Sequence, residues 1–225
     1  MRMLALAATV GLALTAGGTA FAGPWTDPNG RVNFTAPNGW TVRPSSHPTA
    51  TNVLTFDATH DCYVVGVANS VTANSSPDAV IRTTREPLAA TAWVTTANSV
   101  RDLFPGNSAE VISQSVDTSG FWPVQRAQLR SSSGEVSGAI QSRPGFDLMA
   151  FCAAIGGSST APFDALFASI SHPNDATWQA AAAQQAADRE ARAAAAAAAQ
   201  AAQAQQQQQQ PAEETDRRQR PRHRQ

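Results

Sequence analysis

Residues 146–155 have the sequence FDLMAFCAAI, which is apolar on both faces of an extended strand apart from Asp147. Residues 62–68, CYVVGVA, repeat this pattern with apolar or small side chains throughout. A strand that is apolar on both faces is typical of the centre of a sheet that is covered on both sides. We therefore expect these two stretches to form the central strands of the fold.

Each of these stretches carries one of the two cysteines of the chain, Cys62 and Cys152. If the strands are neighbours, the cysteines can face one another. An even number of cysteines in an oxidising compartment favours a disulfide. The bond would close a loop of roughly 90 residues and stabilise the fold by about 4–5 kcal/mol in the chain-entropy treatment. Two buried free thiols, packed as small apolar groups, are the alternative.

Weaker patterns surround the central strands. Alternating apolar and polar residues predict six more strands, around residues 32–34, 40–42, 54–56, 111–116, 125–130 and 136–140. Helical signals occur after the N-cap candidate Ser76, over residues 93–104, and over residues 163–170. Strands, helices, strands and a helix in that order predict an α+β fold, with an antiparallel sheet sandwiched by helices (α/β/α).

The N-terminal 22 residues have the composition of a cleavable export signal. Arg2 precedes a short apolar run, and Ala20-Phe21-Ala22 is a small-x-small cleavage site. The run is shorter than the roughly 20 apolar residues that span a bilayer, although an uncleaved anchor or a buried helix remains an alternative. The expected first mature residue, Gly23, is not a cysteine, so we expect no lipid anchor and a periplasmic or secreted location.

The C-terminal part of the chain is almost only Ala and Gln between residues 174 and 210. Ala has the highest helix propensity, so this stretch predicts a helix, about 50 Å long, that projects from the domain as a spacer. An Ala-lined coiled coil with another chain is the alternative. Pro211 is expected to end the helix.

The chain therefore divides into four predicted parts. These are a signal peptide (1–22), an α+β sandwich domain (23–173), an Ala/Gln-rich helical spacer (174–210) and a disordered Arg-rich tail (211–225).

Charge is distributed unevenly over these parts. All basic side chains are Arg; with the many Ala residues, this indicates a GC-rich bacterial source. Residues 23–175 carry 8 Arg against 12 acids, a net charge of −4, so no nucleic-acid partner is expected. Residues 176–225 carry 7 Arg against 5 acids, a net charge of +2. An anionic envelope surface is the expected contact of Arg217, Arg218, Arg220, Arg222 and Arg224; a solvated tail without such a contact is the alternative.

No catalytic or metal-binding motif stands out, and we expect no cofactor, no metal and no catalytic residue. The four histidines lack metal-ligand spacing. His60-Asp61-Cys62 could hold a metal or activate a thiol, but we interpret it as a loop that leads into a strand with a bridged cysteine. Gly156-Gly157-Ser158-Ser159 is interpreted as a turn because it lacks the lysine of a phosphate loop. Trp122, beside Pro123, is the first tryptophan to test for contact with a ligand; a place in the core or at its rim is the alternative.

Two stretches resemble the PsbP-like family, which comprises photosystem II extrinsic proteins and periplasmic DcrB-like relatives. Residues 30–42, GRVNFTAPNGWTV, resemble its opening of strand, Pro-x-Gly-Trp and strand, and residues 162–173, PFDALFASISHP, resemble its closing helix. The resemblance implies an antiparallel sheet between helices and a mostly non-catalytic role in binding or assembly. It transfers no cofactor-binding residue to this chain.

The function expected from these observations is that of an exported bacterial binding or assembly protein of the cell envelope without catalytic activity. Its partner would be an envelope protein or an anionic membrane surface. A secreted hydrolase with a dispersed active site and a structural spacer protein are the two alternatives.

Overall fold

The computed structural model describes residues 24–44 and 53–218. At its centre lie two long antiparallel neighbours, β5 (His60–Ala68) and β9 (Phe146–Ala154). Their register places Cys62 directly opposite Cys152, with the two Cα atoms 4.1 Å apart and the sulfurs bonded. Both the pair of central strands and the disulfide are therefore confirmed. The predicted signal peptide, including its cleavage site, lies outside the described residues.

The remaining strands extend this pair into a seven-stranded sheet in the order β3-β4-β5-β9-β8-β7-β6, with every neighbouring pair antiparallel. A separate two-stranded hairpin is formed by β1 and β2. The bounds of these other strands are β1 Pro24–Thr26, β2 Asn33–Thr35, β3 Thr41–Pro44, β4 Val53–Phe56, β6 Glu110–Asp117, β7 Val124–Ser131 and β8 Gly134–Arg143. The predicted α+β class with an antiparallel sheet is confirmed.

The helices cover both faces of the sheet. Their bounds are α1 Pro77–Thr83, α2 Ala90–Asn98, α3 Ala161–Ser169 and α4 Asp175–Arg218. Ser76 caps α1 as expected, because its hydroxyl accepts the N–H of Ala79. Helix α2 ends at Asn98 instead of continuing to residue 104. Asn98 and Ser99 bond to nearby backbone groups there, and such bonds compete with the helical ladder.

Alternate residues of the strands supply two separate cores. One core lies beneath α3 and the β1–β2 hairpin and includes the disulfide; the other lies beneath α2. Close packing requires a glycine at position 138, where a Cβ would lie 2.9 Å from Cζ3 of Trp93 and 3.2 Å from Cε1 of Phe151. The indole of Trp93 thereby sits directly on the sheet, fully buried.

The C-terminal helix α4 has 44 residues and differs from the prediction in two ways. Its first part packs on the domain, mainly against α1, with Trp178 half-buried and Ala182 5% exposed. Full projection from residue 174 is therefore wrong for this part, because alanines at helical spacing fit closely against a neighbouring helix. Residues 193–207 are exposed throughout, so the projecting spacer begins beyond Arg192.

The second difference is at Pro211, which lies within α4 and does not end it. A proline removes one backbone hydrogen bond of a helix, but the residues that follow it are mostly good helix formers. The division of the chain stays a prediction at both ends, since residues 1–23 and 219–225 lie outside the described part. Within that part, no helix is both long and apolar enough to cross a bilayer.

Candidate functional site: an open groove and the root of the C-terminal helix

An open groove lies on the sheet face that carries α3. The helix covers the central strands on this face and leaves β6, β7 and part of β8 uncovered, which creates a cavity of about 440 Å³. The strands contribute most of the lining, and α3 forms the opposite wall through Phe163, Asp164 and Phe167. The strand residues that line the groove are Ser113, Gln114, Ser115, Asp117, Arg126, Ala127, Gln128, Ser137 and Gly138.

The chemistry of the groove is that of hydrogen bonding. Arg126 crosses it, with Nη1 3.1 Å from Oδ1 of Asp164 and its guanidinium carbon 5.0 Å from the centre of the Phe167 ring. Hydrogen bonds from the Ser119 hydroxyl and N–H lower the pKa of Asp117 and keep this carboxylate ionised. Hydroxyls, amides and one paired cation suit a polar ligand or a polypeptide backbone.

The second candidate feature is the root of α4, defined here as residues 172–192. Arg143, at the end of β8 and 1% exposed, forms a two-pronged ion pair with Asp175, the first residue of α4. Its Nε lies 2.6 Å from Oδ1 and its Nη2 lies 3.1 Å from Oδ2. The same guanidinium donates to Gln141 Oε1 at 3.0 Å and to the Ser142 carbonyl at 3.2 Å. Burial lowers the pKa of Arg143, whereas the hydrogen bonds and charge of Asp175 act to raise it.

Aromatic side chains enclose this ion pair. The ring of His172 lies between those of Phe146 and Trp178, with centroid distances of 4.7 and 4.6 Å. Burial lowers the pKa of His172, and nearby Arg143 acts in the same direction against the opposing charge of Asp175. Because Nδ1 accepts the N–H of Asn174 at 3.0 Å, the proton of the neutral ring is on Nε2.

Trp122 packs against the root of α4. It is 6% exposed, its ring lies 4.4 Å from the guanidinium of Arg143, and it packs edge-on against Trp178. The expected ligand contact at Trp122 stays a prediction. In this arrangement, a ligand would reach the ring only if α4 moved away.

A salt bridge on α1 extends the contact along α4. Asp78, in the first turn of α1, accepts Arg189 of α4 at 2.7 Å and also pairs with Arg82 one turn along its own helix. Beyond this point the helix leaves the domain. The direction of α4 is therefore fixed at two points, the buried ion pair and the contact with α1.

The side chain of His60 is held in place by hydrogen bonds to both of its ring nitrogens. Its Nδ1 lies 3.0 Å from both carboxylate oxygens of Asp57, and its Nε2 lies 2.9 Å from the carbonyl oxygen of Ser159. Burial acts to raise the pKa of Asp57, but hydrogen bonds from Thr59 and His60 outweigh it and lower that pKa. With Cys62 in the disulfide, the cluster at residues 60–62 joins the β4–β5 turn to the segment before α3 and holds no free thiol.

The other predicted sites give a mixed outcome. Gly156 and Gly157 both adopt positive φ and form the expected turn. Within the described ranges, no three His, Cys, Asp or Glu side chains lie close enough to share a metal ion. Envelope contact through the Arg-rich end is untested: Arg217 and Arg218 end α4, and Arg220, Arg222 and Arg224 lie outside the described residues.

Sequence reasoning missed the central role of Arg143. An arginine that ends an otherwise buried strand is a weak signal, and its partner Asp175 is 32 residues away. The groove gave no local signal, because its walls come from α3 and from three strands.

Comparison with known proteins gives a likeness of fold only. No family model matches the chain, and no curated protein sequence matches it. Among solved structures, it is similar to cyanobacterial PsbP (CyanoP) from Synechocystis sp. PCC 6803, with 16% identity, a TM-score of 0.47, and coverage of 72% of this chain and 99% of that chain. It is also similar to a protein from Bacteroides thetaiotaomicron, with 11% identity, a TM-score of 0.42, and coverage of 69% and 50%. These are distant likenesses of fold, and nothing about function follows from them.

Proposed function

We propose that this chain is an exported bacterial binding or assembly protein of the cell envelope without catalytic activity. In this proposal the domain binds its partner through the groove, and α4 connects it to a basic end that contacts an anionic envelope surface. The observation that carries the proposal is the root of α4. The buried two-pronged ion pair between Arg143 and Asp175 carries a free-energy cost, because both charges are removed from water. We therefore infer that the helix held by this pair has a role of its own.

The length of the free part of α4 supports a role in spacing. Residues 193–218 extend about 39 Å at 1.5 Å per residue. Residues 193–207 are all Ala or Gln and are exposed throughout, so they extend the helix without contributing to a core. A helix of this kind holds its two ends apart while remaining soluble along its whole surface.

The environment of the described polar residues supports binding over hydrolysis. Both ring nitrogens of His60 are already bonded, and the ring of His172 is enclosed by aromatic rings. Groove residues provide hydrogen-bond donors and acceptors along an open surface. Export is supported by the disulfide, since such bonds persist in oxidising compartments.

Co-sedimentation with lipid vesicles tests the tether. The full chain is compared with a chain that ends at Pro211, on vesicles with and without anionic lipid. Each Arg near an anionic surface contributes about 1 kcal/mol, and the three acids at 213, 214 and 216 offset part of this. We expect the full chain to bind anionic vesicles roughly 30-fold or more tightly than the shortened chain at low salt, with most of the difference lost at high salt.

A matched control keeps the length of the chain and removes its charge. In this variant Arg217, Arg218, Arg220, Arg222 and Arg224 are all changed to Gln, and we expect it to bind no more tightly than the shortened chain, because the three acids remain. Equal binding of all three proteins, insensitive to salt, would contradict the tether and favour the structural spacer. In-cell crosslinking with and without groove substitutions tests the binding role separately.

A further inference from the structure

The sheet has two very different edges. At one edge, β3 has four residues and ends in Pro44, which cannot donate a backbone hydrogen bond. At the other edge, β6 has eight residues and pairs with β7 on one side only. Alternate residues of an antiparallel edge strand direct their N–H and C=O groups away from the sheet. Strand β6 is therefore the long open edge of this sheet.

Nothing in the described part of the chain blocks this edge. No described residue hydrogen-bonds to the backbone of residues 111–116 from outside the sheet. Natural proteins usually protect an open edge with Lys, Pro or an inward charge. The middle of β6, VISQSV, has no charged residue and no proline, and its Ile112 is 41% exposed. The one irregularity is a bulge between Val111 and Ser113, which leaves residues 113–117 as a regular edge.

The open edge adjoins the groove. Ser113, Ser115 and Asp117 point to the groove face, because they pair with Gln128, Arg126 and Val124 on that face of β7. An additional strand beside β6 would hence place every second side chain along the rim of the groove. Backbone bonds would provide affinity, and the groove would select the side chains.

We propose that β6 accepts an extended segment of another polypeptide as an eighth strand of the sheet. The inference rests on the proposed binding role of the domain and names the chemistry of its partner.

Charge identifies the partner as a segment with basic ends. Strand β6 begins with Glu110, which pairs with Arg130 of β7, and ends with Asp117. Because Glu135 lies opposite Arg130 and Asp164 pairs with Arg126, the acids outnumber the arginines at both ends of this edge. A second copy of β6, aligned antiparallel over its full length, would place Glu110 opposite Asp117 twice, and like charges opposite one another are destabilising. A strand with Arg or Lys at both ends and small hydroxyl side chains facing Ser113 and Ser115 is complementary to this edge.

The test uses the full chain with its disulfide intact and the synthetic peptide RVTQTVTR, which has this pattern. Fluorescence anisotropy measures binding, and hydrogen exchange measures the backbone amides of β6. We expect a Kd of about 1 mM or tighter, with new protection of alternate amides within residues 111–116. A peptide N-methylated at alternate positions, which lacks the corresponding donors, should bind at least tenfold more weakly.

Protein variants separate backbone pairing from simple charge attraction. The N–H groups of consecutive residues in β6 point alternately towards β7 (inward) and away from the sheet (outward). Of the two variants Gln114→Pro and Ser115→Pro, one therefore removes an outward N–H and the other removes an inward N–H. The outward variant should keep the unfolding temperature and lose the peptide. Asp117→Asn should weaken binding by roughly two- to fivefold, while Asp164→Asn, across the groove, should have a smaller effect.

Three results would overturn the proposal. The first is the absence of saturable binding and of new amide protection at millimolar peptide. The second is equal binding of the N-methylated peptide, which would indicate charge attraction alone. The third is full protection of the outward amides in the free protein, which would mean that a second copy or another segment of this chain already covers the edge. None of these results alters the vesicle experiment, so failure of strand addition and failure of the tether are distinguishable.

Discussion

Substitution of Asp175 by Ala is the most informative perturbation of the root of α4. It leaves the guanidinium of Arg143, 1% exposed, without a counter-ion. Loss of one partner of a buried ion pair costs about 3–5 kcal/mol. Here Arg143 keeps hydrogen bonds to Gln141 and to the Ser142 carbonyl and its contact with Trp122. We therefore expect a loss near the lower limit, about 3 kcal/mol.

Urea unfolding followed by tryptophan fluorescence measures this loss, and hydrogen exchange along residues 178–190 shows whether α4 undocks first. Asp188→Ala is the matched control, since Asp188 is an exposed acid of the same helix that bonds only to Gln184. It should change the free energy of unfolding by less than about 0.5 kcal/mol.

A double-mutant cycle isolates the ion pair from the rest of the contact. Arg143→Met combined with Asp175→Ala should cost less than the sum of the two single changes by about 2 kcal/mol, because the double variant holds no unpaired buried charge. Strict additivity, or a loss below about 1 kcal/mol for Asp175→Ala alone, would refute the conclusion that this pair fixes the helix.

Three further outcomes are expected. Gly138→Ala should destabilise by about 1–3 kcal/mol through overlap with the indole above it, whereas Gly120→Ala, with only a 3.7 Å contact, should be nearly neutral in the same thermal melts. The pKa of His172 is lowered in the folded state, so the unfolded chain binds more protons in acid. The free energy of unfolding should therefore fall as the pH drops from 7 through 6.5. In urea titrations at pH 7 and 5, His172→Phe should reduce that fall. Replacement of Cys62 and Cys152 by Ala should cost about 4–5 kcal/mol of unfolding free energy, and a loss below 1 kcal/mol would show that the chain-entropy argument fails here.

The sequence was sufficient where the information is local. The two central strands were predictable because both of their faces are apolar over seven to ten residues, and the cap at Ser76 because it depends on three consecutive positions. The disulfide followed from those strands, since one cysteine lies in each.

The remaining features depend on contacts between distant segments. The docking of α4 uses alanines and one tryptophan, which give no broad apolar stripe. At the end of α2, the Ala109 N–H donates a hydrogen bond to Oδ1 of Asn98. The groove exists because α3 is offset over the sheet, and no residue pattern encodes that offset. Candidate binding surfaces of this kind require the tertiary structure.

The part of α4 that follows Arg192 is exposed, which suggests how the folded domain could be separated from the end of the chain. Every described contact that fixes the helix lies at or before this residue, so a single protease cut after Arg192 would detach the folded domain without loosening its core. A lone helix in water opens far more readily than a packed one, which makes this stretch the natural cleavage point. If the proposed tether holds the chain at a surface, its shedding would require no unfolding, and the liberated domain would keep its groove.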